Sequence, residues 1–566
     1  MRYTTMERIE KPDLGKKESD TVSVTIQTAE RTIKIDYNKQ DSLHEAMAKQ
    51  GIRMNAACGG RGTCGKCRIK LLNGSLECTL SDQKLFTGEE LKEGYRLACK
   101  AHPSTDISIR ILEGEENEFE VVADLYHKPS ESVADESERR SMDKSNIHGS
   151  NKAHRNSNIN ASSFGIAVDL GTTTLAMTLI ELESGTIIET FTSLNHQRAY
   201  GSDVITRIQL SNQGKQKELQ DCIRGDLLDG FQSLISKNNI KSDSVKSIVI
   251  AGNTTMGHLL LGQSCKNLGV YPFIPVNIQE QRLTFYEVFE SYEFHAEVVI
   301  IPGISAFVGG DIIAGLLVNG YDSEDKINLF IDLGTNGEMA IGNHEKILVS
   351  STAAGPAFEG GNISCGVGSI AGAITGVEFL QDKIKIKTIG DKPPVGICGT
   401  GIIELTYELL KHNIIDDTGL LIPEYFEEGF PIANEDGGAI RYTQKDIREF
   451  QMAKAAIRAG IEILVRSYNM SYEDIETVYV AGGFGYKLNM VKAIYVGLIP
   501  KELSHKIKTV GNSSLQGAIH YLKDDKASLK IKNIINKSTE KHLSNDEDFN
   551  DLYISCMGFE EEEQSI

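Results

Sequence analysis

No stretch of the 566-residue chain approaches the roughly 20 consecutive apolar residues that a bilayer-spanning helix needs. The opening segment, Met1 to Asp20, lacks the apolar core of a secretory signal, so the expected location is cytoplasmic. Positive charge is in deficit, with 59 Lys and Arg against 79 Asp and Glu, for a formal net charge of −20. Nucleic acid and anionic membrane both demand clustered cations, so neither is expected as the main partner. Disorder is not the alternative, because 40% of the residues are hydrophobic. A chain of this length exceeds what one core can fill, which predicts three or four compact units.

One stretch appears twice. Residues 166–174 read Ile-Ala-Val-Asp-Leu-Gly-Thr-Thr-Thr, and residues 329–337 read Leu-Phe-Ile-Asp-Leu-Gly-Thr-Asn-Gly. In each copy an apolar run of strand length ends on an Asp and turns through Leu-Gly-Thr. Strand-like sequence, a polar turn and a third apolar run follow, ending near Phe191 and Ser350. The reading is one strand–turn–strand–turn–strand unit used twice. An Asp at the carboxyl end of a buried strand sits where open α/β sheets bind ligands. The Gly lets backbone approach closely, and the groups of Gly171, Thr172, Thr173 and Thr174, or of Gly334, Thr335 and Asn336, suit phosphate oxygens. Two such hairpins face to face would grip a nucleotide tail, with Asp169 and Asp332 as catalytic carboxylates holding Mg²⁺ or its waters. The competing reading is two ordinary hairpins whose Asp residues cap turns.

A second pair of runs breaks into Gly turns, Ser247 to Met256 and Thr477 to Gly485. With these motifs the chain resembles the actin-like ATPases: acetate and sugar kinases, Hsp70 and actin. The resemblance covers about residues 164–525 and implies a duplicated ribonuclease H-like core. It also implies that a late turn, here Gly482-Gly483, packs against adenosine. Gly399-Thr400-Gly401 precedes a helical run and could offer amides to a phosphate, with a structural turn as the alternative.

Cysteine is concentrated rather than scattered. Four of the ten, Cys58, Cys64, Cys67 and Cys99, follow C-x5-C-x2-C with a fourth about thirty residues later. This is close to plant-type 2Fe–2S ferredoxins, with one more residue in the first gap, as in the adrenodoxin-like variant. Three thiolates on a Gly-rich loop would meet a fourth from a distant strand end, with backbone amides turned toward the sulfurs. A Cys₄ zinc site competes, but zinc ribbons usually carry two C-x2-C knuckles and one is present here. Cys78 falls off the pattern and reads as a plain thiol. Gly60 to Lys66 spells the start of a P-loop, yet Cys67 stands where Ser or Thr should meet Mg²⁺, and the cysteines account for the glycines better.

Around this motif Thr21 to Ile35 alternates as a hairpin, Asp41 or Ser42 can cap a short helix, and a strand at 106–112 would close the unit. From His127 to Ser163 the chain is Ser, Asn, Glu, Lys and His without an aromatic, which reads as a flexible linker. Such a linker spans roughly 30–35 Å on average and allows the first unit to swing. Asn195 to Asp203 is either an ordinary exposed loop or part of a cleft, and Gly303 to Asp311 is a weaker cleft candidate.

A one-electron carrier tethered to an ATPase-like core suggests that nucleotide turnover drives or gates electron transfer. In this combination the chain resembles the reductive activators of corrinoid proteins. Asp169 to Thr174, Asn195 to Arg207, Gly252 to Met256, Asp332 to Glu338 and Ala481 to Gly485 all fit that family. The resemblance implies an α/β multidomain protein: a β-grasp ferredoxin-like domain at 21–113, a linker at 114–163, and ATPase halves at 164–325 and 326–525. A disordered start at 1–20 and a charged, solvated tail at 526–566 complete the expected layout. The implied activity is ATP-dependent reduction of Co(II) corrinoid to methyl-accepting Co(I). The implied cofactors are a 2Fe–2S cluster on the four cysteines, ATP and Mg²⁺. The implied partners are a corrinoid protein of a methyltransferase system and a low-potential electron donor, and a homodimer is compatible with the family. Some members carry an extra small domain before the core, a place taken here by the linker. Two rival readings are an activator of 2-hydroxyacyl-CoA dehydratases, which would use cysteines such as Cys365 and Cys398, and a small-molecule kinase or redox-sensing nucleotide-binding module.

Overall fold

A computed structural model describes residues 21–111 and 162–559, apart from 29–30, 40, 51, 53, 55–59, 63–64, 202, 381–382, 436–437 and 483–487. The segment 1–20, nearly all of the expected linker, Cys58, Cys64 and Gly483 lie outside the described residues. The chain divides into two compact units, Met1–Glu115 and Glu116–Ile566.

The first unit is a five-stranded sheet built from β1 (Thr21–Gln27), β2 (Thr32–Asn38), β3 (Arg68–Asn73), β4 (Tyr95–Leu97) and β5 (Ile107–Ile111). Strict alternation places Val22, Val24 and Ile26 of β1 in the core. The helix Leu43–Lys49 begins where Ser42 and Glu45 cap each other reciprocally, and it buries Leu43 and Met47. The strand order is β2-β1-β5-β3-β4, with β1 and β5 parallel. The last strand, expected to close the unit, instead lies at its centre, between β1 and β3. Ile107 and Ile109 are 3% and 0% exposed, so the strand earns its place by filling the middle of the sheet.

The second unit holds two six-stranded sheets. The first contains β6 (Phe164–Leu170), β7 (Thr174–Glu181), β8 (Ile187–Leu194), β9 (Val245–Gly252), β10 (Gln281–Thr284) and β11 (Glu297–Ile300). Its order is β10-β11-β9-β6-β7-β8. The second half opens with β12 (Asn328–Leu333), β13 (Gly337–Gly342) and β14 (Ile347–Thr352). A three-stranded sheet of β15 (Ala373–Leu380), β16 (Lys383–Thr388) and β17 (Gly396–Ile397) follows, then the hairpin of β18 (Phe430–Glu435) and β19 (Gly438–Tyr442). The main sheet is completed by β20 (Thr477–Ala481), β21 (Ile507–Gly511) and β22 (Ser538–Glu540), in the order β21-β20-β12-β13-β14-β22.

The repeat is visible in this topology. β8-β7-β6-β9-β11 and β14-β13-β12-β20-β21 share one order and one pattern of parallel and antiparallel pairs. A shared core joins the halves: Ala167 and Val249 from one sheet, Phe330 and Val349 from the other, and Ile313 and Leu515 from two helices between them. Those helices, Gly310–Val318 and Ser513–Lys523, touch backbone to backbone, because a Cβ on Gly517 would overlap the Ala314 carbonyl.

The segment 526–566, expected as a solvated tail, is folded as far as it is described. The helix Ala527–Lys537 buries Ile531 and Ile534, and β22 pairs parallel with β14. Lys454 Nζ donates to the carbonyls of Cys556 at 2.8 Å and Gly558 at 2.5 Å. Phe559 is 6% exposed and stacks on Phe450 with ring centroids 6.4 Å apart. The charges face solvent while one apolar face docks, a division that overall composition does not reveal.

Candidate functional site

Each Asp of the repeated motif sits near the end of the first strand of its half, Asp169 on β6 and Asp332 on β12. The turn after Asp169 is tight, since a Cβ on Gly171 would come 2.5 Å from the Thr174 carbonyl oxygen. It is also braced from behind. Asn195 Nδ2 donates to the Gly171 carbonyl at 2.9 Å, and Arg207 Nη2 donates to the Thr172 carbonyl at 2.6 Å. Asn253 Nδ2 donates to Thr172 Oγ1 at 2.9 Å. The Asn195–Asp203 segment is therefore no ordinary exposed loop: Asn195 and Gln197 are both 0% exposed, as is Arg207 in the helix that follows. Arg207 also donates to Gln197 Oε1 at 3.2 Å and to the Gly201 carbonyl at 2.9 Å, which places a buried cation behind the first hairpin.

The two hairpins meet. Thr173 Oγ1 and Thr335 Oγ1 each donate to Glu359 Oε2 at 2.9 Å, so one carboxylate joins loops 162 residues apart in the chain (335 − 173). The far end of the second half reaches the first carboxylate as well. Asn512 Nδ2 donates to Asp169 Oδ2 at 2.8 Å and Ser514 Oγ to Oδ1 at 2.7 Å. Gly482, at φ +100°, lies against the end of β12: a Cβ there would overlap the Leu333 carbonyl and come 2.9 Å from Asp332 Oδ1. No hydrogen bond joins Gly399, Thr400 or Gly401 to these carboxylates among the described residues. Gly401 has a packing role, since a Cβ would overlap the Ile374 carbonyl.

Four acids share one electrostatic environment. Burial pushes Asp332 up to about 8, with the charges of Asp311 and Asp169 adding to it. Asp311, in the first turn of the Gly310–Val318 helix, is pushed up to about 7 by burial and by Asp169. Glu338 rises well above the usual range through burial and the charges of Asp311 and Asp332. Asp169 is also raised by burial, although its bonds to Ser514 and Asn512 oppose the shift. Among the described residues no Lys or Arg forms an ion pair with any of the four. Burial and crowding without a counter-charge favour the protonated acids, and a cation entering such a cleft would favour the carboxylates.

In the first unit, the fourth and third cysteines of the motif are brought together by the sheet. The Ala98 amide donates to the Cys67 carbonyl at 2.8 Å, and Cys67 and Cys99 are 1% and 6% exposed. Gly60, Gly62 and Gly65 have φ of +79°, +78° and +68°, backbone that favours glycine and lets a loop curl its amides inward.

Comparison with known proteins covers the whole arrangement. The 2Fe-2S iron-sulfur cluster binding domain matches residues 26–104, the RACo middle region 164–324, and the C-terminal domain of RACo, the ASKHA domain, 326–566. The corrinoid activation enzyme RamQ of Eubacterium limosum is 32% identical over 413 residues, 69% of each chain. The chain belongs to the reductive activators of corrinoid proteins. A Co(II) methylated amine-specific corrinoid protein reductase of Methanosarcina barkeri is 27% identical over 429 residues, 70% of this chain and 77% of its own. The solved structure of a reductive activator for corrinoid, iron-sulfur protein superposes with a TM-score of 0.66 at 29% identity, covering 95% of this chain and 98% of that one.

In this activator the repeated motif points to Asp169 and Asp332, which stand at matching strand ends. Asp311 and Glu338 stood in segments singled out for their glycines or motif match, without a stated role. The sequence gives no role to Glu359, Asn512 or Ser514, whose bonds to the hairpins and to Asp169 appear only in the structure. The run Ala353 to Gly361 is small and glycine-rich, and its one acid, Glu359, was the available signal. Nothing in the sequence around Asn512 marks it as a partner of Asp169.

Proposed function

We infer that the chain is an ATP-dependent reductive activator of a corrinoid protein, passing one electron from a 2Fe–2S cluster to inactive Co(II) corrinoid and so generating Co(I) for methyl transfer. The observation that carries this reading is the union in one chain of a ferredoxin-type unit and an ATPase-type cleft whose two hairpins close on one carboxylate. The relatives named above as corrinoid activators and reductases support it.

The residues fit the implied groups. Cys67 and Cys99 are buried at the base of a loop of positive-φ glycines, and with Cys58 and Cys64 they would complete four thiolates for the iron. The cluster supplies a one-electron store, and burial of the described sulfurs from water is one of the protein's levers on its potential. For Mg²⁺ the fit is of a specific kind. Among the described residues no three His, Cys, Asp or Glu side chains converge to hold a metal directly. Mg²⁺ commonly keeps its waters and takes one or two carboxylates together with nucleotide phosphates, which suits Asp169 and Asp332. Thr172 to Thr174, Thr335 and Asn336 would then hydrogen-bond the phosphates, and Gly482-Gly483 would lie against the nucleoside.

Driving an electron to a lower-potential acceptor costs about 2.3 kcal/mol per 100 mV, within what ATP hydrolysis supplies. The corrinoid belongs to the partner, and the electron comes from a low-potential donor. A cytoplasmic location and a homodimer belong to the same reading; no helix among the described residues is long and apolar enough to cross a membrane. The dehydratase-activator reading is disfavoured by Cys398, which is 3% exposed and donates its thiol to the Ile374 carbonyl at 3.3 Å.

The deciding experiment is anaerobic. Reduced protein is mixed with a co-encoded Co(II) corrinoid protein, and visible spectra are recorded with and without Mg·ATP. A Co(I) band that needs ATP and is lost in Cys64→Ala supports the reading. Intact cluster and ATP turnover without Co(I) would transfer the activity to another acceptor.

A further inference from the structure

We propose that the Glu359 carboxylate holds and orients the water that attacks the terminal phosphate of ATP. This rests on the reading of the cleft as an ATPase site, and it gives a catalytic role to a residue that the repeated motif does not contain.

Glu359 closes the short turn Pro356–Glu359, which is bounded by Gly355 at φ +80° and Gly360 at φ +76°. Its neighbours Ala357 and Phe358 are 3% and 2% exposed in the core of the second half, so the carboxylate projects from a fixed base. Its Oε2 takes both Thr173 and Thr335 hydroxyls at 2.9 Å. These are the donors that a phosphate gripped between the hairpins would claim. When the hydroxyls turn to phosphate oxygens, a half-buried carboxylate oxygen loses both partners at once, which is costly unless another donor replaces them.

The replacement must sit between two anions, so it is a cation or a proton donor. On the reading of the cleft above the cation already has its carboxylates, Asp169 near the end of β6 and Asp332 near the end of β12. A water is the remaining occupant. It donates one proton to Glu359 and turns a lone pair toward the phosphorus, the arrangement required for in-line attack. The buried Arg207 guanidinium, fixed behind the first hairpin, lies within electrostatic reach of Glu359.

In the step, the water oxygen forms a bond to the γ-phosphorus. The bond from that phosphorus to the β–γ bridging oxygen breaks, and its electron pair leaves with ADP. The water's proton passes to Glu359 and from there to inorganic phosphate or solvent, leaving the carboxylate as it began.

The test uses the full-length protein with its cluster and compares wild type, E359Q and E359D. Phosphate release is measured against ATP and Mg²⁺ concentration, nucleotide affinity with a fluorescent ATP analogue, and thermal stability by calorimetry. The expected result for E359Q is a kcat about 100-fold lower or more. Nucleotide affinity and the Mg²⁺ concentration for half-maximal rate should stay within about threefold of wild type, and the melting temperature should be unchanged. E359D keeps the charge but withdraws it by one methylene; it should lose about 10-fold or more in kcat, and it stands in should E359Q not fold. Wild-type kcat in either folded variant overturns the proposal. So does a rate loss in E359Q that is restored by raising Mg²⁺, which would make Glu359 a metal ligand. A wild-type protein that releases no phosphate would instead overturn the ATPase reading itself, leaving the two failures distinct.

Discussion

Ser514 Oγ donates to Asp169 Oδ1 at 2.7 Å, a bond that joins residues 345 positions apart and ties the last helix of the repeated core to the first Asp-Leu-Gly-Thr hairpin. Asn512 holds the other oxygen of the same carboxylate. The orientation of Asp169 is thus set from the opposite half of the molecule, and closure of the halves is coupled to the site. A hydrogen bond to a charged group contributes about 1.5–3 kcal/mol, so Ser514→Ala should weaken Mg·ATP turnover about 10-fold or more. The check is the rate as a function of Mg²⁺, with circular dichroism unchanged. An unaltered Mg²⁺ profile would show that Asp169 needs no such anchor.

The raised acids predict a stability that falls with pH. Asp332, at about 8, and Asp311, at about 7, are both raised first by burial, so they keep protons in the folded protein that the unfolded chain releases near pH 4. Between about pH 4 and 8 the folded state therefore binds more protons, and its stability declines as pH rises. The stabilisation is complete below the unfolded value and lost on passing through 7 to 8. Without nucleotide, the melting temperature of the ATPase unit should drop from pH 6 to pH 9. Asp332→Asn should flatten that drop while abolishing turnover, and Mg·ATP should stabilise more at pH 8 than at pH 6. Differential scanning calorimetry across this range checks all three.

Phe559 packs between the Phe450 ring and the Lys454 ammonium, which lies 4.9 Å from its centroid. Phe559→Ala should destabilise the second unit by about 3 kcal/mol, the usual cost of removing a buried aromatic. Urea denaturation followed in the second unit measures it. A shift below ~0.5 kcal/mol would mean that the end of the chain is dispensable.

Cys99 lies 6% exposed in the first unit, while Asp169 and Asp332 belong to the other. Cys99→Ser should abolish the visible charge-transfer absorption of the cluster and all ATP-dependent Co(I) formation. ATP affinity, measured by the same fluorescent analogue, should be retained. Parallel loss of ATP binding would show that the cluster is needed to form the nucleotide site.

Much of the architecture was legible because it is written locally. Alternation in Thr21–Gln27, the Ser42–Glu45 cap, the cysteine spacing and the twin Asp-Leu-Gly-Thr hairpins are all short-range patterns. Each follows from the period of a strand, the geometry of a helix end or the shape of a tight turn, so neighbouring residues suffice to encode it. The repeated strand order could be anticipated from the repeated motif together with the family resemblance.

Other features exist only in the folded chain. The central position of Ile107–Ile111 depends on which strands it pairs with, and a strand's own residues do not name its partners. The region after 525 reads as charged, yet Ile531, Ile534 and Phe559 suffice to dock it once a complementary core is present. Glu359 and Ser514 acquire their roles from bonds to Thr173, Thr335 and Asp169, across separations of 24 to 345 residues. Such contacts leave no periodic trace in the chain. By itself the sequence determined the cysteine spacing and the twin Asp-Leu-Gly-Thr turns from which iron, phosphate and Mg²⁺ sites are proposed; the tertiary structure decided which ATPase-domain groups meet, because meeting depends on how the two halves close over their shared core.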